Sequence, residues 1–351
     1  MNKVKYYFYQ LFKELTPIYP IYLILFDSKG FDIFYAFGFV FWGVSGTFCS
    51  GAEEALLFDS LKMSNEENLF DKVYGRGKFL SGISVAIASL AGGYIAMYVG
   101  MEWALGISIF VGVLTTGIAA SFHEVNHYID KKVKSTSRLR SILTDEIRFF
   151  RKKRRLTLIA FMAILVVGTA GVIDEYDQLI AKGFGLSVGT VGLWVSFRSL
   201  VAALGSLVAP YLRNAVDQVL GIKKNINSIG CICIVGAIFL GLSGSIKQLW
   251  AMIFYGIFFF LMAACEVLQE DYVQQRIEEE GRSTVHSMIS LMYNLFGMVF
   301  YGVLGIVFAL SDLFTGLIII AVYMVIIVLL LSYVNKLYEK SCKRTNLQNK
   351  Q

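Results

Sequence analysis

The chain has 351 residues, of which 56% are hydrophobic and only 17% are charged, and its formal net charge is +6. Apolar runs of about 20 residues, long enough to cross a bilayer as helices, recur from end to end. This composition predicts an all-α integral membrane protein and leaves no polar region large enough for a separate soluble domain. Because the excess Lys and Arg residues lie in loops beside the membrane, the positive charge gives no case for nucleic-acid binding.

The apolar runs predict ten transmembrane helices, at about residues 6–26, 31–58, 78–99, 103–122, 156–180, 187–210, 226–245, 249–270, 284–309 and 312–333. Pro17 and Pro20 should kink the first of them. Its sequence lacks a small-residue cleavage site, so we expect it to remain in the protein and not to be removed as a signal peptide. Lys and Arg concentrate in alternate loops, which predicts that both termini are cytoplasmic.

One long basic connection, residues 123–155, divides the chain into two bundles. Residues 1–122 form a predicted N-terminal bundle of four spans. Residues 156–335 form a C-terminal bundle of six spans, and a basic cytoplasmic tail follows at 336–351. Apolar residues recur at helical spacing among the cations of the connection, a pattern typical of an amphipathic helix that lies on the inner leaflet.

Three carboxylates, Glu53, Glu54 and Asp59, end the second predicted span. An ionisable side chain in a membrane span is costly unless it is paired, protonated or hydrated, so it indicates a functional site by default. Glu54 lies on a helix face of small residues, which suits a cavity or a neighbouring helix. Glu53, Glu54 and Asp59 are therefore candidate residues for proton coupling. Glu54 is the preferred one, with a structural hydrogen bond as the alternative. Asp59 lies at the membrane interface, where we expect its carboxylate to be solvated or bonded to Arg76.

The rear half repeats this pattern. Glu266 and Asp271 have the same spacing as the acids of the front half, and a basic residue opens the following span in both halves, at Arg76 and at Arg282. Weak repeats of this kind are typical of secondary transporters built from duplicated halves. Glu266 is therefore a second candidate for proton binding, and Asp271, Arg76 and Arg282 are candidate residues of gating loops.

Arg198 is the charge predicted to lie deepest in the membrane, and it needs an acidic partner because it cannot deprotonate. Spans five and six turn near Gly183, which places Asp174 about 7 Å further out than Arg198, within reach of its side chain. This pair is expected either to lock the rear bundle or to hold a substrate. Glu175 and Asp177 lie nearer to the outer surface and are expected to be hydrated. Both remain candidate residues for the charge pair or the substrate site.

Several stretches resemble helices of bacterial drug-efflux transporters of the major facilitator superfamily (MFS). Residues 50–61 (SGAEEALLFDSL) resemble the fourth helix of that family, residues 271–276 and 281–285 the tenth helix and the loop after it, and residues 174–178 the end of the seventh. The resemblance covers nearly the whole chain in the same order. It implies a multi-pass transporter of the bacterial plasma membrane that is no enzyme and has no cofactor. Its expected partners are the lipid bilayer, protons and a small amphipathic substrate.

The chain departs from that family in one respect. Residues 22–31 lead directly from the first span into the stretch that resembles the fourth helix, so the second and third helices of the family are absent. We predict proton-coupled efflux of a small amphipathic molecule or drug. A non-transporting remnant or scaffold, or a homo-oligomer that supplies the missing wall, is the alternative.

A competing motif, His123-Glu124-x-x-His127, matches H-E-x-x-H, in which two histidines bind zinc and the glutamate activates water. It would make the chain a membrane zinc metalloprotease. Only His286 remains as a further histidine, and its spacing does not mark it as a third ligand. The preferred prediction therefore contains no metal site.

Overall fold

The computed structural model describes residues 2–19, 25, 52–123, 154–186, 188–221, 226–276 and 282–348, and within them every regular element is helical. The elements are α1 (Asn2–Lys13), α2 (Ala52–Met63), a 3-10 turn (Glu67–Leu69), α3 (Phe70–Tyr98), α4 (Met101–Ala120), α5 (Arg154–Met162), a π-helical turn (Ala163–Val167), α6 (Gly168–Glu175), α7 (Asp177–Gly183), α8 (Val188–Leu220), α9 (Ile226–Ser245), a second 3-10 turn (Leu249–Ala251), α10 (Met252–Gln274), α11 (Arg282–Leu310) and α12 (Leu313–Gln348).

Eight helical segments of the described residues are long and apolar enough to cross a membrane: Glu67–Ala96, Met101–Ala120, Leu156–Asp174, Leu193–Leu220, Ile226–Ser245, Leu249–Gln274, Met288–Phe308 and Leu313–Tyr338. The prediction of an all-α membrane protein is therefore confirmed. Most of the first two predicted spans falls in residues 20–51, of which only Leu25 is described. A total of ten spans stays a prediction. The amphipathic helix predicted in the linker also lies outside the described residues, and the predicted tail begins within α12.

Helix α1 lies beside α4 with its N-terminal end near the C-terminal end of α4. Asn2 Nδ2 donates to the carbonyl oxygen of His123 at 2.9 Å, and Ile18 N–H, beyond the end of α1, donates to Ser108 Oγ at 3.0 Å. The helix ends at Lys13, and turns follow at residues 17–19. The sequence predicted instead a single kinked helix that continues to about residue 26. Pro17 accounts for the earlier end, because it has no N–H to donate and disfavours helical geometry in the residue before it.

Polar contacts join helix ends at opposite ends of the bundle. The guanidinium of Arg154, at the start of α5, lies 5.7 Å from the ring centre of Tyr338, late in α12. At the opposite end of α12, Lys247 pairs with Asp312 at 3.1 Å. Asp312 also caps α12: its carboxylate accepts the N–H of Thr315 at 2.8 Å, and this bond, with the ammonium of Lys247, lowers the pKa of Asp312.

The best-packed part of the described structure is the rear bundle, where α9 packs against α10 and α12. In the most apolar stretch of Leu249–Gln274, 67% of the residues are buried, against 11% for Met101–Ala120 and for Met288–Phe308. The N-terminal helices join this core through α3, which packs along α8, while α8 packs against α10. Helix α3 is therefore the main structural link between the two halves.

Glycines allow the backbones of these helices to approach closely. A β-carbon at Gly75 of α3 would overlap the carbonyl oxygen of Ser206 in α8, and one at Gly205 of α8 would overlap that of Phe260 in α10. Both oxygens belong to the backbone and cannot move aside independently. Small residues at such positions allow close helix packing in membranes, where dispersion contacts drive helix association.

We expect Gly75→Ala to lower the thermal unfolding temperature of the purified protein in detergent, because the added methyl group must push α3 away from α8. Gly93→Ala is the matched control, since it lies on the same helix and a β-carbon there has nothing within 4 Å. The control should be neutral or slightly stabilising, because Ala favours a helix over Gly by about 1 kcal/mol. Equal unfolding temperatures for the two variants would contradict the close contact.

Candidate functional site

A cavity of about 490 Å³ lies between the front helices α2 and α3 and the rear helices. Its volume lies within the range of small-molecule sites in proteins. Alanine, valine and other apolar side chains form much of its wall. The polar side chains on its wall are Glu54, Tyr74, Asp174, Arg198, Glu266, Gln269, Glu270, Ser290 and Tyr293.

Four residues singled out from the sequence line this cavity: Glu54, Asp174, Arg198 and Glu266. They come from α2, α6, α8 and α10, so residues up to 212 positions apart in the chain share one wall. From the sequence, Glu54 and Glu266 are candidates for proton binding, and Arg198 with Asp174 is a separate charge pair. Packing of α2 against α10 and α11 brings the front acid to the rear bundle.

The first charged group on the cavity wall is the Arg198 cluster, formed by Arg198, Asp174 and Asp177. Arg198 Nε donates to Asp177 Oδ2 at 2.8 Å, and Arg198 Nη2 donates to Asp174. The guanidinium also lies 4.2 Å from the ring centre of Phe259. The predicted pairing of Arg198 with Asp174 is therefore present, and a second carboxylate joins it.

Asp177 pairs with Arg198, as its place among the charge-pair candidates predicted, but the expectation that it is hydrated was wrong. Its side chain is 3% exposed and also accepts a hydrogen bond from Trp194 Nε1 at 3.2 Å. Residues 156–180 were predicted to form a single span, whereas α6 ends at Glu175 and α7 begins at Asp177. This break turns Asp177 back towards Arg198. The side chain of Glu175 lies outside the described part of the structure.

The second charged group is the Glu266 cluster, formed by Glu266, Glu270 and Lys78. Lys78 Nζ of α3 pairs with Glu266 Oε1 of α10 at 2.7 Å, and it lies 5.8 Å from the ring centre of Tyr74. Glu270 lies one turn further along α10 and lines the same cavity. Lys78 was not singled out from the sequence, because its partner is 188 positions away in the chain.

The neighbouring acids of α2 face different surroundings. Glu53 pairs with Lys13 of α1 at 2.9 Å and accepts a bond from Gln10, beside a smaller cavity of about 200 Å³ between α1, α2 and α4. Consecutive residues of a helix point about 100° apart, so Glu53 faces α1 when Glu54 faces the large cavity. Asp59 is half-buried further along α2 and is not among the residues that line either cavity.

A buried charged triad joins α3 to α8 and α10. Arg213 Nη1 donates to Asp271 Oδ2 at 2.8 Å, and its Nη2 donates to Asp71. Each of the three side chains is at most 10% exposed. Further donors reach the carboxylates: the amide of Gln275 bonds to Asp271 at 2.7 Å, and the N–H of Lys72 bonds to Asp71 at 2.8 Å. The triad therefore ties the two halves of the chain together at one end of the bundle.

The sequence analysis identified only Asp271 in this triad. Arg213 and Asp71 were not singled out, because both lie outside the predicted spans, where charges are usually solvated. Of the other predicted gating residues, Arg76 is exposed on α3, and the side chain of Arg282, at the start of α11, lies outside the described structure.

The competing motif at residues 123–127 is described only at His123, which is exposed; residues 124–127 lie outside the described structure. Within the described ranges, no group of three or more His, Cys, Asp or Glu side chains has the geometry to hold a metal ion.

Comparison with known proteins decides the family. The sequence model of the Major Facilitator Superfamily matches residues 20–301, most of the chain. The chain belongs to the Major Facilitator Superfamily. No curated protein matches the chain, so the family model alone carries this assignment. Members of the superfamily are transporters and not enzymes, and this MFS protein is accordingly a multi-pass membrane transporter.

In this MFS protein, Arg213→Gln should lower the free energy of unfolding by about 3–5 kcal/mol, because two buried carboxylates lose their cation. Thermal unfolding in detergent, followed by intrinsic fluorescence, measures the loss. Arg76→Gln is the control, since Arg76 is an exposed cation of α3 and should be nearly neutral. If both variants unfold alike, the triad does not hold the two halves together.

Proposed function

We propose that this MFS protein exports a small amphipathic molecule, such as a drug, across the plasma membrane in exchange for protons. The observation that supports this proposal most directly is the wall of the large cavity, where Glu54 of the front bundle meets Glu266 of the rear bundle. Alternating access requires a site between two bundles that move relative to one another, and this cavity lies between them.

Glu54 and Glu266 are the residues we propose to bind the transported protons. An ionised carboxylate in a cavity walled by apolar side chains is costly, and either a proton or a cationic group of the substrate reduces that cost. Proton and substrate then compete for the same carboxylates. A proton that binds on the acidic side favours release of the substrate there, which couples the two flows.

The Arg198 cluster has a different role in this proposal. Arg198 stays charged, and its bonds to Asp174 and Asp177 hold it beside Phe259 on the cavity wall. The cluster would orient the substrate without taking part in proton transfer. The Arg198 side chain is 9% exposed, whereas that of Asp174 is 46% exposed, so Asp174 is the member that a substrate can contact.

The triad of Arg213, Asp71 and Asp271 is proposed as the gate on the cytoplasmic side. It connects α3 of the front bundle with α8 and α10 of the rear bundle at the end that the charge distribution predicts to be cytoplasmic. Opening the cavity on this side requires these ion pairs to separate. Asp271 then has the gating role that the sequence analysis gave it.

The proposal is tested in inverted vesicles with an acidified lumen, a pH-sensitive dye and a panel of lipophilic compounds. With the wild-type protein, we expect at least one compound to dissipate the pH gradient. Glu54→Gln should reduce this response to the level of vesicles without the protein, because an amide cannot take up the proton.

Glu53→Gln is the matched comparison, since it makes the same chemical change one residue away, on the face towards α1. It should retain the response. If Glu53→Gln abolishes the response and Glu54→Gln does not, the coupling belongs to Glu53. If no compound gives a response while the protein is folded and inserted, the proposal of proton-coupled export is contradicted, and a non-transporting scaffold becomes the better explanation.

A further inference from the structure

We propose that the large cavity binds a linear dication, a molecule with one ammonium group near each end. Because this cavity is the transport site of the proposed function, on which this identification rests, such dications would be the class of substrate that the protein exports. Four features of the cavity support this identification: its charge, the separation of its charged clusters, a buried amide and a lysine side chain.

The cavity wall is strongly acidic. Among the described residues that line it, four are carboxylates, Glu54, Asp174, Glu266 and Glu270, and one is a cation, Arg198. Two partners lie just outside the wall: Asp177 binds Arg198, and Lys78 binds Glu266. Their opposite charges cancel, so the net negative charge at the cavity is unchanged. An anionic ligand would add to this negative charge, whereas a cation reduces the cost of holding the carboxylates in an apolar surrounding.

The acidic residues form two groups with an apolar wall between them. Phe259 of α10 marks the position of the Arg198 cluster, and Glu266 and Glu270 follow it on the same helix. At 1.5 Å per residue, the two carboxylates lie about 10 and 16 Å further along the helix axis. Met262 and Ala263 line the wall between these positions. A single ammonium group can contact only one of the two clusters, whereas an alkyl chain with an amine at each end can contact both.

A buried amide at the Glu266 cluster gives an independent indication of a ligand. Gln269 lines the cavity and is only 3% exposed. Its side-chain Nε2 has no hydrogen-bond partner in the described structure. Buried polar groups are normally satisfied, so this amide lacks a partner that a ligand can supply. As placed, the Nε2–H donor needs an acceptor. A half-turn of the amide puts the acceptor oxygen at this position instead, where it can accept a hydrogen bond from an ammonium group.

Lys78 shows that the Glu266 cluster accommodates an alkylammonium group. Its ammonium lies 2.7 Å from Glu266 and 5.8 Å from the ring centre of Tyr74. An amine of the ligand would share this surrounding or displace the lysine. At the other end, Asp174 is the exposed carboxylate, and the ring of Tyr293 also lines the cavity and can contact a cation through its face.

The test uses the full-length protein in lipid nanodiscs, with α,ω-diaminoalkanes of increasing length and the n-alkylamines of equal length as probes. Calorimetry gives the dissociation constants. We expect the affinity for diamines to be highest at about seven to twelve carbon atoms, because the extended chains then match the separation of roughly 10–16 Å along the helix axis. The best diamine should bind at least about tenfold more tightly than its monoamine. Equal affinity of the diamine and the monoamine, or no dependence on length, would overturn the inference.

Variants at the two ends locate the amines. Asp174→Asn should weaken the best diamine to the affinity of the monoamine, and Glu270→Gln does the same at the other end if the first variant does not fold. Lys78→Met should tighten binding of both probes, because it removes a competing ammonium. Asp312→Asn is the control; it changes an exposed carboxylate at the end of the bundle and should leave every affinity unchanged.

Binding and transport are separated by comparing the nanodiscs with the vesicles. Diamines that bind with the expected length dependence but never dissipate a pH gradient would support the dication site and contradict proton-coupled export. A gradient dissipated by another compound, together with no binding of any diamine, would contradict the dication site and leave proton-coupled export intact.

Discussion

The structure depends on the cost of placing charged side chains inside a bundle of apolar helices. Each buried charge requires an opposite charge or several hydrogen-bond donors within reach, and this requirement decides which helices lie next to one another. Arg213 illustrates this constraint. It can lie at the meeting point of α3, α8 and α10 only because Asp71 and Asp271 both reach it there.

Close backbone packing and charge pairing act together on α3. Gly75 brings this helix against the backbone of α8, and the buried triad lies one turn away at Asp71. A short distance further along, Lys78 reaches Glu266 on α10. One helix of the front bundle therefore carries, within two turns, the contact that joins the halves and a charge beside the cavity. A movement of α3 relative to α8 would change both at once, which is the coupling that a transporter needs between its gate and its site.

The cavity combines charges that differ in how they are balanced. Arg198 contacts two carboxylates and an aromatic ring, and these contacts fix the position of its guanidinium group. In the Glu266 cluster, Lys78 pairs with Glu266, and the amide of Gln274 donates to Glu270. The first arrangement suits a fixed orienting element, and the second suits groups whose charge changes when a proton or a cation arrives.

The sequence by itself determined the membrane class, the positions of eight of the ten predicted spans, the family resemblance and the four cavity residues Glu54, Asp174, Arg198 and Glu266. These follow from local signals, since a 20-residue apolar run or a carboxylate within it is visible without knowing its neighbours. Tertiary structure alone decided the partners: Asp177 for Arg198, Lys78 for Glu266, and Asp71 for Arg213. The last two pairs join residues more than 140 positions apart, and the first depends on the break at Tyr176, so helix periodicity could not reveal them.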